Sequence, residues 1–340
     1  MKTNARKLMV IAAAAATAAL AAPATAAETA WKAHIWGVKR ASSLPLEWYA
    51  KEVAAKTGGQ MKLELMFDKG SPTGSVDLIK SGAAEAVYFC AQYFPDKMPL
   101  STVLDLPMFA PENLVTMGKV SLALGEHPAI QAELRHWNTK MLLPVPLPQY
   151  QLMGTRKVTR IEDFKGARVR ISGAMGKILE EYGATVSVVP SVESAAALKA
   201  GTLDLVALPY PYAFAAFKVH ETSKYVTEKV SLGSPLCYLG VNQKAWDALP
   251  AATQKVMLGL RQQTVARYED AYAPDDAANL AAFREKGLEF VAFSAVDRAR
   301  LVARSIKSWQ SWVEEREKQG LKGKEVFEFA QAKIREFSRK

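Results

Sequence analysis

The sequence predicts an α/β protein with two lobes. Short apolar strands alternate with amphipathic helices in the order βαβαβ, and this order occurs twice, over about residues 31–90 and 151–208. A proline-rich stretch, 143–148, separates the two series. Strands that alternate with helices form parallel sheets with helices on their faces. Two such series therefore indicate two lobes, each with its own sheet.

The first series begins with a strand that is followed by an amphipathic helix. Ser43 is a predicted helix cap, and Gly58-Gly59 ends the helix. A shorter helix, 76–80, stops near Gly82. The predicted strands of this series are 31–36, 61–65 and 86–90.

A connector and the second series follow. Pro144, Pro146 and Pro148 cannot donate hydrogen bonds to a sheet, so we expect an extended connector or an edge segment here. Beyond it come the segment 151–154 and then the predicted strands 167–171, 185–189 and 203–208. The predicted helices of this series are 175–182 and 192–200.

The C-terminal third is mainly helical. After a strand at 238–242, a helical stretch runs from Leu249 to about Lys286 and contains Pro274. A proline inside a helix removes a backbone donor, so two interpretations stay open: one kinked helix, or two helices that meet at Pro274. A short apolar segment, 290–293, precedes a helical tail that reaches the C-terminus.

The N-terminus predicts export. A basic start is followed by an apolar run and by the small residues Ala24-Thr25-Ala26, a pattern typical of a signal peptide spanning 1–26, with cleavage after Ala26 or Ala27. The apolar run is shorter than the roughly 20 residues of a membrane span. A retained membrane anchor is the alternative. We expect a soluble, exported and periplasmic protein.

Composition and residue patterns argue against several function classes. The formal net charge is +10, but Lys and Arg are scattered among acidic residues, which does not predict a nucleic-acid partner. The four histidines have no metal-ligand spacing and no nucleophile motif is present, so we predict neither an enzyme nor a cofactor or metal site. Cys90 and Cys237 are interpreted as two separate buried thiols, with a disulfide as the alternative.

Several segments, taken in order, carry a family resemblance. They are 79–86 (IKSGAAEA), 104–109 (LDLPMF), 161–170 (IEDFKGARVR), 182–184 (YGA), Glu193, 200–204 (AGTLD), Pro209 and 240–250 (GVNQKAWDALP). The chain resembles the extracytoplasmic solute receptors of tripartite ATP-independent periplasmic (TRAP) transporters, the DctP-like family.

The resemblance implies a fold and a role. The fold would be a two-lobed periplasmic binding protein, type II-like, whose lobes are joined by crossing strands and by a long helix that bends in the middle. The implied role is to capture an organic acid and deliver it to the membrane permease subunits. We expect a monomer. The predicted first lobe comprises 27–146 and 236–275, and the second 147–235 and 276–340.

Arg170 is the predicted anchor for a ligand carboxylate. It matches by position the arginine with which such receptors hold the carboxylate, and a guanidinium can donate two parallel hydrogen bonds to that group. Arg168 is expected to be structural or exposed. In open α/β sheets, ligands bind beyond the carboxyl ends of the strands, which places the site in a cleft between the lobes.

Departures from the family pattern make the predicted pocket more apolar. Tyr150 stands where some members have a second arginine, Leu208 replaces a polar ligand-facing residue, Cys90 falls near an acidic pocket position, and the adjacent Glu and Trp that hold a metal in keto-acid receptors have no counterpart at the matching positions. The predicted pocket aromatics are Trp36, Phe89, Tyr93, Tyr150, Tyr210 and Tyr212.

These substitutions favour a monocarboxylate with an aromatic or aliphatic body over a sugar acid, because ligand hydroxyls buried against Leu208 would stay unpaired. Alternatives stay open. Half of the aromatics, Phe89 and Trp36 in particular, could belong to the core; the ligand could be a dicarboxylate or a keto acid; and the receptor could serve an ATP-driven permease or a membrane sensor.

Overall fold

The computed structural model describes residues 28–171 and 173–339. The predicted signal peptide and its cleavage position lie outside these residues. Within the described part of the chain, no helix is both long and apolar enough to span a membrane.

The strands form two sheets with helices around them, which confirms the predicted two-lobed α/β class. In chain order the strands are β1 (Thr29–Ile35), β2 (Met61–Phe67), β3 (Ala86–Cys90), β4 (Thr139–Pro144), β5 (Tyr150–Gly154), β6 (Arg168–Arg170), β7 (Thr185–Ser187), β8 (Leu205–Pro209), β9 (Tyr225–Glu228), β10 (Cys237–Asn242) and β11 (Glu289–Ala292).

Most of the helices flank these sheets, and the last two form the C-terminal tail. In chain order they are α1 (Leu44–Lys56), α2 (Ser75–Ser81), α3 (Leu114–Gly125), α4 (Pro128–His136), α5 (Lys177–Glu181), α6 (Ser194–Lys199), α7 (Tyr212–Ala216), α8 (Gln243–Asp247), α9 (Ala251–Gly259), α10 (Arg261–Ala266), α11 (Tyr268–Glu285), α12 (Ala295–Lys318) and α13 (Gly323–Ser338).

The first sheet, with the order β2-β1-β3-β10-β4, defines the first lobe. β1 pairs in parallel with β2 and β3, as the βαβαβ pattern predicts. β10 lies antiparallel between β3 and β4. The order of elements along the chain did not predict this insertion, because β10 returns from the other lobe.

The second sheet, with the order β11-β9-β5-β8-β6-β7, defines the second lobe. β6 pairs in parallel with β7 and β8, whereas β5 is antiparallel to β8 and β9. The carboxyl end of β6 is therefore flanked by β7 and β8, and both neighbours contribute to the surroundings of its last residue, Arg170.

Two crossing segments, 145–149 and 229–236, join the sheets. They are hydrogen-bonded to their surroundings: Val145 donates its N–H to the Cys237 carbonyl (2.8 Å), and the Ser234 hydroxyl donates to the Leu147 carbonyl (2.8 Å). Pro144 is the last residue of β4. The expectation of an extended connector or an edge segment is confirmed, because Pro144 ends the edge strand β4 and Pro146 and Pro148 lie in the first crossing segment.

Cys90 and Cys237 form a disulfide, so the interpretation of two separate thiols is wrong. The two residues face each other in the antiparallel pairing of β3 and β10, with 4.0 Å between their Cα atoms. They are 147 residues apart in sequence. Their pairing depends on the insertion of β10 beside β3, which no local pattern indicates.

The helical stretch 249–286 is divided elsewhere than predicted. α11 continues through Pro274, and the interruptions lie at Leu260 and Arg267, so the interpretation of two helices meeting at Pro274 is wrong. Pro274 and Asp270, four residues earlier, are both exposed. Water can therefore bond the Asp270 carbonyl that the proline leaves without its helical donor.

The C-terminal helix contacts the first lobe. Val326 and Ala330 of α13 are buried in the same apolar cluster as Phe89 of β3 and Val120 of α3. This placement differs from the predicted boundary, which assigned 276–340 to the second lobe, because an amphipathic pattern shows that a helix has an apolar face but not which lobe covers it. The other boundaries stay predictions.

Candidate functional site

The carboxyl end of β6 carries a fully buried arginine. The Arg170 side chain is 0% exposed. Its Nε donates to the Val189 carbonyl (2.8 Å), Nη1 to the Ala207 carbonyl (2.9 Å) and Nη2 to the Tyr93 hydroxyl (2.9 Å). The first two acceptors belong to the second lobe and the third to the first lobe. The guanidinium is thus held in a fixed orientation where the lobes meet.

Arg170 has no anionic partner in the described chain. Of its five N–H groups, three donate to neutral oxygens, which leaves one on each terminal nitrogen. Among residues 28–171 and 173–339, no carboxylate lies within ion-pair distance of it. An isolated buried charge is costly, by several kcal/mol, unless an opposite charge compensates it. The arrangement is suited to receive an anion.

Tyr93 of the first lobe contacts two residues of the second lobe, Arg170 and Ser191. It lies in the 3₁₀ turn Ala91–Tyr93 that follows β3 directly. Besides accepting from Arg170, its hydroxyl donates to the Ser191 hydroxyl at 3.4 Å. The neighbouring Gln92 donates to the Tyr150 hydroxyl (3.3 Å), which is a second link from the same turn to the other lobe.

Tyr150 is buried at the start of β5. Burial raises the pKa of its hydroxyl well above the usual range, although the charge of Arg170 opposes this effect. The hydroxyl therefore keeps its proton at any physiological pH and can act as a hydrogen-bond donor. Tyr93, Tyr150 and Arg170, all predicted from the sequence, lie together.

Trp36 lies in an aromatic cluster that includes rings from both lobes. Its ring centroid is 5.1 Å from that of Tyr88 and 6.3 Å from that of Tyr93, both on the first lobe. From the second lobe, Phe217, which follows α7, stacks on it at 6.4 Å. The indole Nε1–H of Trp36 is buried without a hydrogen-bond partner among the described residues.

Sequence reasoning missed a second buried arginine, Arg40. Its Cζ lies 4.7 Å from the Trp36 ring centroid, 5.3 Å from that of Tyr88 and 5.7 Å from that of Phe217. The Arg40 side chain is 6% exposed and forms no ion pair within the described part of the chain. Its position after the carboxyl end of β1 was the available signal, because ligands bind at that end of parallel strands.

The other predicted aromatics are distributed differently. Tyr212 is buried, with its ring 5.0 Å from that of Tyr272 on α11, and it shares an apolar cluster with Trp36. Tyr210 is half-buried and its hydroxyl donates to Glu228 at 3.3 Å. Tyr212 therefore joins the cluster, whereas the Tyr210 hydroxyl is engaged within the second lobe.

Phe89 is a core residue, as the alternative interpretation held. It is fully buried on the face of β3 opposite to Tyr88, with its ring 4.0 Å from that of Tyr238. Cys90 is bonded to Cys237 and offers no thiol. Leu208 is buried in the apolar cluster that contains Trp36 and Tyr212.

Ser187 is a further polar group beside Arg170 that the sequence did not indicate. It is the register partner of Arg170 in the pairing of β6 with β7. Its hydroxyl is buried and makes no hydrogen bond with a described residue. A hydroxyl of this kind can donate to an anion that binds the neighbouring guanidinium.

A cavity of about 660 Å³ opens beside Tyr93. Its lining includes Gln92 and Pro99 from the first lobe and Ala174 and Val188 from the second. Arg170, fully buried, does not line it. Arg170 is therefore closed off from solvent in this conformation.

The chain is similar to known proteins in sequence. The DctP family model, described as bacterial extracellular solute-binding protein, family 7, matches residues 32–316. A solute-binding protein from Verminephrobacter eiseniae is 24% identical over 266 residues, which is 76% of this chain and 77% of that protein.

Two solved structures have the same fold. A TRAP solute binding protein from Rhodoferax ferrireducens, in complex with copurified benzoate, has a TM-score of 0.82 at 21% identity, covering 92% of this chain and 99% of that chain. A TRAP solute binding protein from a marine metagenome, specific for aromatic acid ligands and in complex with 3-hydroxybenzoate, has a TM-score of 0.81 at 20% identity, with the same coverage.

Proposed function

The chain belongs to family 7 of the bacterial extracellular solute-binding proteins, the DctP family, and is a TRAP solute-binding receptor; we propose that it captures an organic acid in the periplasm through a salt bridge from Arg170 to the ligand carboxylate. Delivery of that acid to the membrane permease subunits is part of the proposal. The chain would act as a binding protein and not as an enzyme.

The observation that carries the proposal is the buried, uncompensated charge of Arg170. Two carbonyls fix the guanidinium, and each terminal nitrogen has one N–H left. A carboxylate accepts two parallel hydrogen bonds from such a pair and supplies the missing negative charge. A neutral ligand would fill the space but leave the charge uncompensated.

The surroundings favour an acid with an apolar body. Trp36, Tyr93 and Phe217 present rings from both lobes, and Leu208 belongs to the same apolar cluster. Planar rings stack on aromatic side chains, and apolar burial contributes about 25 cal/mol per Å². We therefore propose a monocarboxylate with an aromatic or aliphatic body. Benzoate and 3-hydroxybenzoate, the ligands of the two similar structures, are acids of this class.

Replacement of Arg170 tests the salt bridge. Binding of benzoate to the mature protein is measured by isothermal titration calorimetry for the wild type and for Arg170→Gln. We expect the variant to lose at least about 30-fold in affinity, because hydrogen bonds to charged groups contribute about 1.5–3 kcal/mol. A cooperative thermal unfolding transition verifies that the variant is folded.

Arg168→Gln is the matched control. Arg168 lies on the same strand but is exposed, and its Nε donates to Asp204 at 3.0 Å. Its removal should leave benzoate affinity within about twofold. If Arg170→Gln keeps its affinity within about threefold, Arg170 is not the anchor.

A further inference from the structure

Beside the aromatic cluster lie a buried arginine, Arg40, and an indole donor, Trp36 Nε1–H, that has no acceptor among the described residues. Arg40 lies over one side of the Trp36 ring, and Tyr93, which contacts Arg170, lies near the same indole. Tyr93 and Trp36 therefore form a chain of contacts that leads from Arg170 to Arg40. A ligand bound through its carboxylate at Arg170 would extend along these rings toward Arg40.

Arg40 is held in place by its own turn. Its Nη1 donates to the carbonyls of Trp36 (3.0 Å) and Val38 (2.8 Å). The Ser43 hydroxyl donates to the Arg40 carbonyl at 2.8 Å and accepts from the Arg40 N–H at 3.2 Å. The predicted helix cap, Ser43, thus fixes the Arg40 backbone and does not cap α1 with its side chain. A fixed guanidinium provides directed donors at this point.

Trp36 provides the second donor. Its side chain is buried among rings of both lobes, and the Nε1–H meets no acceptor from the described residues. Buried indole N–H groups usually have a hydrogen-bond partner. Among the described residues this donor has no acceptor and the neighbouring arginine has no counter-ion, so this end is suited to an acceptor that a ligand supplies.

Two charged groups, Arg40 and Asp276, act on Tyr212 near the same end of the cluster. Burial raises the pKa of Tyr212; the positive charge of Arg40 opposes this effect and the negative charge of Asp276 adds to it. Tyr212 therefore lies within the influence of both charges. The positive charge of Arg40 and the negative charge of an ionised Asp276 oppose each other here, so this end requires an acceptor oxygen but does not require a second carboxylate.

We propose that Arg40 and the Trp36 indole form an acceptor subsite, which selects acids whose ring or chain carries a hydroxyl or carbonyl oxygen at the end opposite to the carboxylate. This inference rests on the proposed function and narrows its ligand class. It adds a specificity contact at the first lobe to the carboxylate anchor at the second.

The test compares acids that differ by one oxygen. Dissociation constants are measured for benzoate, 3-hydroxybenzoate and 4-hydroxybenzoate with the wild type, Arg40→Gln and Trp36→Phe. One hydroxybenzoate should bind the wild type at least about tenfold tighter than benzoate, and Arg40→Gln should reduce this preference to within about twofold. Trp36→Phe, which keeps an aromatic ring, should reduce it by about threefold or more.

Lys39→Gln is the control for loss of charge in the same turn. Lys39 is exposed and its Nζ pairs with Glu47 at 2.7 Å, so the variant should keep the full preference for the hydroxy acid. If Arg40→Gln does not fold, Trp36→Phe alone decides, and an unchanged preference in that variant overturns the subsite.

Three further outcomes would overturn the proposal. The first is equal affinity of the wild type for benzoate and both hydroxybenzoates. The second is a loss of affinity in Arg40→Gln that is equal for all three acids. A purely structural role of the Arg40 turn predicts such a uniform loss. The third is tighter binding of isophthalate than of the hydroxy acids. If instead Arg170→Gln leaves benzoate binding unchanged, the proposed function itself fails.

Discussion

Arg168 and Arg170 show how the surroundings of a side chain decide its role. They lie two residues apart on β6, and both are arginines of one sequence motif. Arg168 is exposed, and Asp204 accepts hydrogen bonds from its Nε and its backbone N–H. Arg170 is buried against carbonyls and tyrosine. Only the second arginine has an uncompensated charge, and its burial depends on how the lobes meet.

Asp276 is the carboxyl group near the site whose titration should be measurable. Burial, followed by the neighbouring charge of Asp275, raises its pKa from 3.8 to about 7. The unfolded chain thus releases this proton near pH 4, whereas the folded chain holds it until about pH 7. The contribution to stability therefore falls as pH rises between these values.

Asp276→Asn should remove this pH-dependent penalty. We expect the free energy of unfolding at pH 8 to rise by about 1–2 kcal/mol, with a smaller gain at pH 4, after allowance for the partial exposure of the side chain. Urea unfolding at pH 4, 6 and 8 measures the difference. Asp270→Asn, exposed on the same helix, is the control and should show no gain at pH 8. A gain in the free energy of unfolding that is the same at all three pH values would contradict the raised pKa of Asp276.

At the scale of the elements, β3 and β10 connect the turn that carries Tyr93 to the second crossing segment. β3 ends at Cys90, directly before the turn that carries Gln92 and Tyr93. β10 begins at Cys237, directly after the second crossing segment. The disulfide therefore ties the turn that carries Tyr93 to a segment that links the lobes.

Loss of this disulfide should weaken both stability and binding. Cys90→Ala combined with Cys237→Ala should lower the free energy of unfolding by about 2–4 kcal/mol, because the bond closes a long loop. We also expect weaker benzoate binding, since the Tyr93 turn is then less restrained. Calorimetric unfolding and titration with and without dithiothreitol measure both effects. The double variant is the control and should not respond to dithiothreitol. An unaffected wild type, with free thiols verified by mass, would contradict the prediction.

The elements also show what sequence patterns can predict. β3 was predicted with its observed bounds, and β1 and β2 within two residues, because the alternation of apolar residues is local. The continuation of α11 through Pro274 depends on the exposure of Asp270, whose carbonyl has no helical donor because of the proline. The disulfide depends on the insertion of a strand from 147 residues away. Arg40 lies in a turn, and turns lack the regular spacing of apolar residues that shows which way the side chains of a helix or strand face.

At the scale of the whole molecule, the site exists only where the two lobes meet. Arg170 comes from the second lobe and Tyr93 from the first, and Trp36 of the first lobe stacks on Phe217 of the second. Neither lobe alone presents both the proposed anion anchor and the aromatic surface. Ligand binding should therefore be coupled to the closure of the lobes.

The Tyr93 hydroxyl offers a test of this coupling, because it accepts from Arg170 and donates to Ser191 across the interface. Tyr93→Phe keeps the ring but removes both bonds. We expect about tenfold or greater loss of benzoate affinity, since one of the bonds involves a charged group. The decrease in radius of gyration that benzoate causes in small-angle X-ray scattering should be smaller than in the wild type.

Tyr225→Phe, a half-buried tyrosine of β9, is the control and should change neither quantity. If Tyr93→Phe binds benzoate as tightly as the wild type and shows the same decrease in radius of gyration, the hydroxyl does not contribute to closure. The ring contacts between the lobes would then be sufficient to hold the closed state. An aromatic ligand would stabilise that state through stacking, with Arg170 selecting only for its charge.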